Sequence, residues 1–244
     1  MNHETLFISD CHVDAGKPEI TSNLLDFLQN RAVNARCLYI LGDLFEAWIG
    51  DDEHDPGNES IIDSLKLLSK NTEIYFLAGN RDFLLGNDAA NAIGLTRLND
   101  PTIIQLGDRQ VALLHGDTLC TDDNDYQAFR RMVRDPDWQT QFLLKPLTER
   151  QAIAAALRVK SIEAMAEKAV EIMDVNAQAV SSCFTELEAD VIIHGHTHRP
   201  AVHSYADNHK RFVLGDWNPQ PSYLSWNSTQ GFELVDSRVT KPYQ

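Results

Sequence analysis

An α/β sandwich interrupted by a helical insertion is the fold this sequence predicts, and three observations carry it. Short apolar runs recur along the chain, each closed by a polar cluster; stretches of helical spacing separate the first of them; and residues 121–180 depart from that alternation. Runs of four or five Ile, Leu, Val and Phe residues bounded by turn signals read as buried strands. Strands alternating with helices build layers around a sheet.

In chain order the runs are Thr5–Ile8 before Ser9-Asp10-Cys11-His12, Cys37–Leu41 before Gly42-Asp43, and Ile74–Ala78 before Gly79-Asn80-Arg81-Asp82. Val111–Leu114 precedes His115-Gly116-Asp117, and Val191–Ile193 precedes His194-Gly195-His196-Thr197-His198. Ile20–Arg31 and Glu59–Lys70 carry apolar residues at helical spacing. Phe212–Leu214, Tyr223–Trp226 and Gly231–Val235 read as further strands. Asp122–Val133 and Glu149–Val180 read as helices joined by an apolar connector, Trp138–Leu147. The expected organisation is a core of residues 1–120 and 181–244 with a helical insertion at 121–180.

The chain has 244 residues, 43% hydrophobic and 23% charged, enough for one substantial core. No charged-then-apolar leader follows Met1, and no run approaches the ~18 apolar residues of a membrane span. A cytoplasmic protein, at most lying against a membrane, is expected. Cys11, Cys37, Cys120 and Cys183 lack paired spacing, so reduced thiols are expected, with Cys11 a small buried hydrophobe. A net charge of −15 repels a phosphate backbone and argues against nucleic acid as a partner. Residues 121–180 hold 10 acidic and 8 basic side chains, a balance of only −2. That segment is the least hostile to an anionic substrate or lipid.

Each polar cluster follows a strand's carboxyl end, the edge where α/β sheets bind ligands. A hard divalent cation takes carboxylate, carbonyl and imidazole donors. Asp10-x-His12 and His196-x-His198 space two donors so that an extended chain points both to one side. Asp43 follows a glycine that permits a sharp turn, and its two oxygens suit it to bridge two cations. Asn80 offers an amide oxygen and His115 an imidazole. A lone Asp after a strand is usually a turn or cap, and a lone His usually structural. Five such clusters, with three imidazoles in five residues at the last, point instead to a metal site. His3, His54, His203 and His209 lack that context and read as surface residues, and Gly50–Asp55 reads as a solvated acidic loop.

The five clusters D-x-H, G-D, G-N-x-D, H-G-D and G-H-x-H resemble the calcineurin-like metallophosphoesterase superfamily. The resemblance implies a four-layer αββα metallophosphoesterase sandwich holding two divalent metal ions, often manganese (Mn2+). Asp10, His12, Asp43 and His198 would hold one ion; Asp43, Asn80, His115 and His196 would hold the other. Many phosphomonoesterases of the superfamily carry Gly-Asn-His-Asp, whose histidine protonates the departing alkoxide; here the third position is Arg81. Arginine binds phosphate bidentately but gives up no proton, which suits a leaving group that is itself a phosphate.

Longer strings resemble the UDP-2,3-diacylglucosamine hydrolase family: YILGDLFEAWIGDD at 39–52, GNRDFLLG at 79–86, HGDTLCTDD at 115–123, IMDVN at 172–176 and HGHTHRPAVH at 194–203. The resemblance implies an acylated UDP-sugar substrate, its pyrophosphate cleaved by water at the uridine-side phosphorus to give diacylglucosamine 1-phosphate and UMP in lipid A synthesis. It also implies a protein peripherally associated with the cytoplasmic face of the inner membrane; a monomer is expected. Family substrate contacts fall on Asn80, Arg81, Asp123, Ser161, Met165, Lys168 and His196. Ser161, Met165 and Lys168 share one helical face, and relatives are expected to carry a polar residue at 165. Trp138, Phe142, Leu143, Leu144 and Leu147 either cover acyl chains or pack the insertion's own core. Lys145, Arg150, Arg158 and Lys160 are placed to meet anionic headgroups. Two other readings stay open: a superfamily phosphodiesterase or pyrophosphatase acting on soluble nucleotides, and a metal-stabilised binding protein without catalysis.

Overall fold

A computed structural model describes residues 4–167 and 172–239. Its first sheet has six strands in the order β11-β10-β1-β2-β3-β4, and its second has five in the order β5-β6-β7-β9-β8. The strands are β1 (Thr5–Ile8), β2 (Cys37–Leu41), β3 (Glu73–Leu77), β4 (Leu95–Leu98), β5 (Thr102–Leu106), β6 (Arg109–Leu113), β7 (Val191–His194), β8 (Ala201–Ser204), β9 (Lys210–Val213), β10 (Tyr223–Asn227) and β11 (Gly231–Val235). β1 through β4 pair in parallel, as do β6, β7 and β9. The remaining pairings are antiparallel.

Strand periodicity explains the layering. Successive side chains of a strand face opposite sides of its sheet. Leu6 and Ile8 of β1 and Leu38 and Ile40 of β2 pack against α1 (Pro18–Asp26) and α2 (Glu59–Leu68) through Leu24, Ile61 and Leu65. Their neighbours Phe7 and Leu41 instead meet Val111, Leu113, Val191 and Ile193 of the second sheet. On the far side of that sheet, Ala112, Leu114 and Ile192 pack on Val180, Cys183 and Phe184 of α7 (Ala177–Glu186). Three apolar interfaces therefore separate four layers, helix, sheet, sheet and helix, as expected. Most of these side chains are fully buried, each contributing about 1.5–3 kcal/mol of transfer free energy.

Between β6 and β7 the chain forms α4 (Asn124–Val133), α5 (Pro136–Leu143), α6 (Leu147–Glu167) and α7. Two details differ from the sequence reading. The expected connector Trp138–Leu147 is mostly helix, because Asp135 accepts from the N–H groups of Asp137 and Trp138 and Pro136 occupies the first turn. The expected single helix from Glu149 to Val180 is divided: Asn176 accepts from the N–H groups of Gln178 and Ala179 and starts α7 afresh. Val180 packs into the core, and α7 forms the outer layer of the second sheet.

The insertion helices α5 and α6 reach the other side of the molecule. Phe142 is buried, and Trp138, Leu147, Ile153 and Ala154 pack on the helix-side core of the first sheet. Leu143 and Leu144 are exposed, at 42% and 74%. Trp138, Phe142 and Leu147 therefore pack neither on acyl chains nor in a core of the insertion's own but on the main core, and Leu143 and Leu144 stay exposed. The proposed headgroup cations fare differently. Arg150 is 1% exposed, donating to Ile49 O at 2.6 Å, to Lys145 O at 3.1 Å and to Asp52. Lys145 pairs with Glu149 and Arg158 with Glu46, so these three positive charges are already engaged by the protein. The acidic loop is also more than solvated: Asp51 accepts from Gly86 N, Ala89 N and the Trp48 indole, anchoring α3 (Asn87–Ile93).

Candidate metal centre and active site

Backbone pairing continues past the strands and fixes the loops that follow them. Asp10 N donates to Gly42 O at 3.0 Å, His12 N to Asp43 O at 2.9 Å, and Gly195 N to His115 O at 2.8 Å. The parallel register therefore carries four of the clusters to one edge in pairs. The third cluster is tied to the second by Asp82, which is fully buried. Its carboxylate accepts from Leu44 N at 2.7 Å, Gly79 N at 2.8 Å and Asp43 N at 3.2 Å.

Two glycines are required by close approach. A Cβ at Gly79 would lie 2.1 Å from Asp43 Oδ1, and one at Gly195 would lie 2.0 Å from Asp10 Oδ2. Asp10, His12, Asp43, His196 and His198 all have positive φ, between 49° and 66°. Such backbone is costly for residues with a Cβ and persists where surrounding contacts over-determine it. Five of the seven proposed donors are held this way, so their directions are set by the fold.

The seven donor side chains meet. His12 Nε2 lies 3.2 Å from His198 Nε2 and 3.8 Å from Asp43 Oδ2, and His198 Nε2 lies 3.3 Å from Asp10 Oδ1. On the other side of Asp43, His115 Nε2 lies 3.8 Å from Asp43 Oδ2 and 3.0 Å from Asn80 Oδ1. His196 Nδ1 lies 2.9 Å from that same amide oxygen. Asp43 stands between the two groups. Donor triads capable of holding a metal are formed by Asp10, His12 and His198 and by Asp10, Asp43 and His115.

The unmet bonding of these groups fits cations. Asp10 Oδ2 is satisfied by Ser9 Oγ and by His196 N, whereas buried Asp10 Oδ1 faces the ring nitrogens of His198, at 3.3 Å, and His12, at 4.0 Å. His115 Nδ1 faces the Leu41 carbonyl at 2.9 Å, so Nδ1 carries a proton and Nε2 is the nitrogen turned to the site. Two imidazole nitrogens 3.2 Å apart beside two carboxylates are a poor arrangement for protons and a good one for a cation.

Titration of the cluster follows from burial and mutual charge. Burial would raise the Asp10 carboxyl, but the His198 bond and the charges of His198, His115 and His12 hold it well below the usual carboxylate range. Burial pushes Asp43 up to about 7 against the pull of His115. Burial would lower His115, yet the carboxylates of Asp43, Asp10 and Asp117 bring it to about 9. Burial lowers His12 and His196 to about 4, leaving both neutral and able to ligate near pH 7.

The chain matches the calcineurin-like phosphoesterase family over residues 3–200. The UDP-2,3-diacylglucosamine hydrolase of Chromohalobacter salexigens is 48% identical over 88% of this chain and 89% of its own length. That of Sodalis glossinidius is 49% identical over 94% of this chain and 96% of its own. This chain belongs to the UDP-2,3-diacylglucosamine hydrolase family of calcineurin-like phosphoesterases. The fold is shared more widely. Vacuolar protein sorting 29 from Cryptosporidium parvum superposes with a TM-score of 0.52 at 15% identity, covering 99% of this chain and 94% of its own.

Around the donors lie Arg81, which the motif reading gave to phosphate, and several residues that it left unassigned. Arg81, its side chain 25% exposed, lies beside the site, and its N–H donates to Asp43 Oδ1 at 2.8 Å. Asp117, in the H-G-D cluster, accepts from Tyr126 Oη at 2.8 Å and Arg130 Nε at 2.7 Å, drawing α4 to the site. Tyr126 thereby sets its ring 5.6 Å from that of His196. Arg134, at the other end of α4, donates to Gly79 O at 2.8 Å. Glu46 sits beside His12 and Arg81. The available signal was the aspartates in G-N-R-D and H-G-D, which had no ligand role and hold the loops instead.

His194 corrects the reading of the H-G-H-x-H string as a purely ligating cluster. It is fully buried, its Nδ1 donates to Gly195 O at 2.9 Å, and its Nε2 accepts from Arg211 at 2.9 Å. That imidazole is structural. Asp123 caps α4 through Tyr126 N, and half-buried Ser161 lies on α6 three residues beyond Arg158. The side chain of Met165 and the whole of Lys168 lie outside the described residues. All four cysteines are free; Cys11 is buried, as expected, and so are Cys37, Cys120 and Cys183. Among the described residues no helix is long and apolar enough to cross a membrane.

Proposed function

We propose that this chain hydrolyses the pyrophosphate of UDP-2,3-diacylglucosamine, with water attacking the uridine-side phosphorus to give 2,3-diacylglucosamine 1-phosphate and UMP in lipid A biosynthesis. The observation that carries the reading is the convergence of six further O and N donors around Asp43 with Arg81 at their margin, in a chain about half identical to hydrolases so named over nearly its whole length.

Asp10, His12, Asp43 and His198 would hold one divalent cation, and Asp43, Asn80, His115 and His196 the other, manganese being the expected metal. When bound, the pair supplies positive charge for the phosphoryl oxygens and acidifies the attacking water. Arg81 engages the phosphate with its planar fork and neutralises charge as the bridging bond breaks. Asn80 and His196 orient the reacting phosphate between them. Asp123, Ser161, Met165 and Lys168 line the remaining path of the substrate. Helices α5 and α6 cover the acyl chains, with exposed Leu143 and Leu144 facing the lipid phase. The working protein is a monomer held peripherally at the cytoplasmic face of the inner membrane.

The test is UMP release with manganese from the acylated substrate and from its deacylated counterpart. Far slower cleavage of the deacylated UDP-sugar is expected. Equal rates would reject the role given to the insertion, and no turnover of either would reject the activity.

A further inference from the structure

Two buried donors at the metal centre lack a hydrogen-bond partner among the described residues: Nδ1 of His12 and Nε of Arg81. They belong to different loops, after β1 and after β3, yet both face one carboxylate. Glu46 Oε2 lies 3.8 Å from His12 Nδ1, and Glu46 Oε1 lies 3.7 Å from Arg81 Nε. Oε1 also accepts from Arg158 of α6, while Lys17 Nζ lies 3.8 Å from Oε2. Each oxygen thus sits between two cationic or ring donors, and the residue is only 9% exposed.

We propose that Glu46 is a positioning residue that orients the ring of His12 and the guanidinium of Arg81 and transmits the seating of helix α6 to both. The inference rests on the function proposed above. The separations to His12 and Arg81 exceed hydrogen-bond length, and a contraction of roughly 0.8 Å closes either one. A histidine that ligates a metal through one nitrogen gives the N–H of the other to a carboxylate or carbonyl, which fixes the ring and strengthens the ligand. For His12, whose Nε2 points into the donor cluster, Glu46 is the carboxylate in that place. Its position depends in turn on Arg158, which lies one helical turn from Ser161 on α6. Seating the insertion over a substrate and aligning the groups that act on the phosphate are then one event.

A merely structural ion pair would hold α6 down without touching metal affinity, and the two roles separate in one set of measurements. Glu46→Ala, Glu46→Gln, Arg158→Ala and the Glu46→Ala/Arg158→Ala double variant are titrated with Mn2+ in the absence of substrate and assayed for kcat and KM. Glu46→Ala is expected to bind Mn2+ about 10–100-fold more weakly and to lose kcat. Glu46→Gln, which keeps the shape and one acceptor oxygen, recovers part of that affinity and carries the test if Glu46→Ala does not fold. Arg158→Ala lowers kcat and weakens Mn2+ binding by less than Glu46→Ala does, because Lys17 still faces Oε2, and the double variant is no slower than Glu46→Ala alone. Unaltered Mn2+ affinity in folded Glu46→Ala and Glu46→Gln overturns the inference, as do kcat losses that multiply in the double variant. If the unaltered chain itself fails to bind Mn2+, the proposed function falls, and this inference with it. If it binds Mn2+ and the Glu46 variants match it, this inference falls alone.

Discussion

Replacing Asp82 by alanine removes the carboxylate that joins the Asp43 loop to the Asn80 loop. Leu44 N, Gly79 N and Asp43 N, at 2.7, 2.8 and 3.2 Å, then face an enclosed space without an acceptor. A buried unpaired donor costs about 1–3 kcal/mol, so three set a ceiling on the order of 9 kcal/mol. Two effects reduce it. The vacated polar space has room and partners for a water. The carboxylate's own desolvation is also relieved: burial raises the Asp82 pKa, and the Gly79 bond, the His115 charge and the Leu44 and Asp43 bonds only partly oppose it. A net loss of about 2–4 kcal/mol remains, as for other broken buried networks. At ~2–4 °C per kcal/mol for a chain of this length, the melting temperature of the metal-free protein falls by about 5–15 °C. The Asp43 backbone is tethered by the same group, so Mn2+ affinity falls about 10–100-fold as well. Thermal unfolding followed by circular dichroism, paired with calorimetric Mn2+ titration, reads both. A melting temperature within about 2 °C of the unaltered chain together with unchanged Mn2+ affinity would refute the reasoning.

Three further outcomes follow from the site. Arg81→Lys keeps a charge but loses the planar fork, so kcat drops on the order of 100-fold while Mn2+ titration is little changed; equal kcat would remove Arg81 from the chemistry. Gly195→Ala drives a Cβ to 2.0 Å from Asp10 Oδ2 and 2.2 Å from Ser9 Oγ, so Mn2+ binding is lost, and unaltered binding in that variant would contradict the described packing. In the metal-free protein the carboxylates around His115 raise it to about 9, and burial raises Asp43 to about 7. At pH 7 His115 is therefore protonated, and it must lose that proton to ligate. Metal binding then releases protons and tightens as pH rises toward 9. Calorimetry in buffers of different ionisation enthalpy measures the release, and none at pH 7 would contradict the assignment of His115.

Much of this architecture was legible because periodicity and function coincide in the same strings. β1, β2, β3, β6 and β7 are short, each has a buried apolar stretch, and each is followed by residues that bear the chemistry, so buried strand and following donor could be read together. The insertion was harder. Asp135-Pro136 and Asn176 are helix starts, yet the apolar character of Trp138–Leu147 masked the first, and a long run of good helix formers masked the second. The supporting residues were least visible. Asp82, Asp117 and Glu46 act through backbone N–H groups and side chains distant in sequence, such as Arg130 and Arg158, and nothing in local spacing announces such partners. His194 shows the opposite error: three imidazoles in one short string suggested shared duty, whereas Arg211, seventeen residues on, makes this one structural.

In the function proposed here a cluster of seven donors and Arg81 serves attack by water on the uridine-side phosphorus of a lipid-linked pyrophosphate. Hydrolysis of UDP-2,3-diacylglucosamine in water enriched in heavy oxygen, with mass spectrometry of both products, tests it most directly. The label is expected in UMP. Label in the diacylglucosamine 1-phosphate would contradict the account.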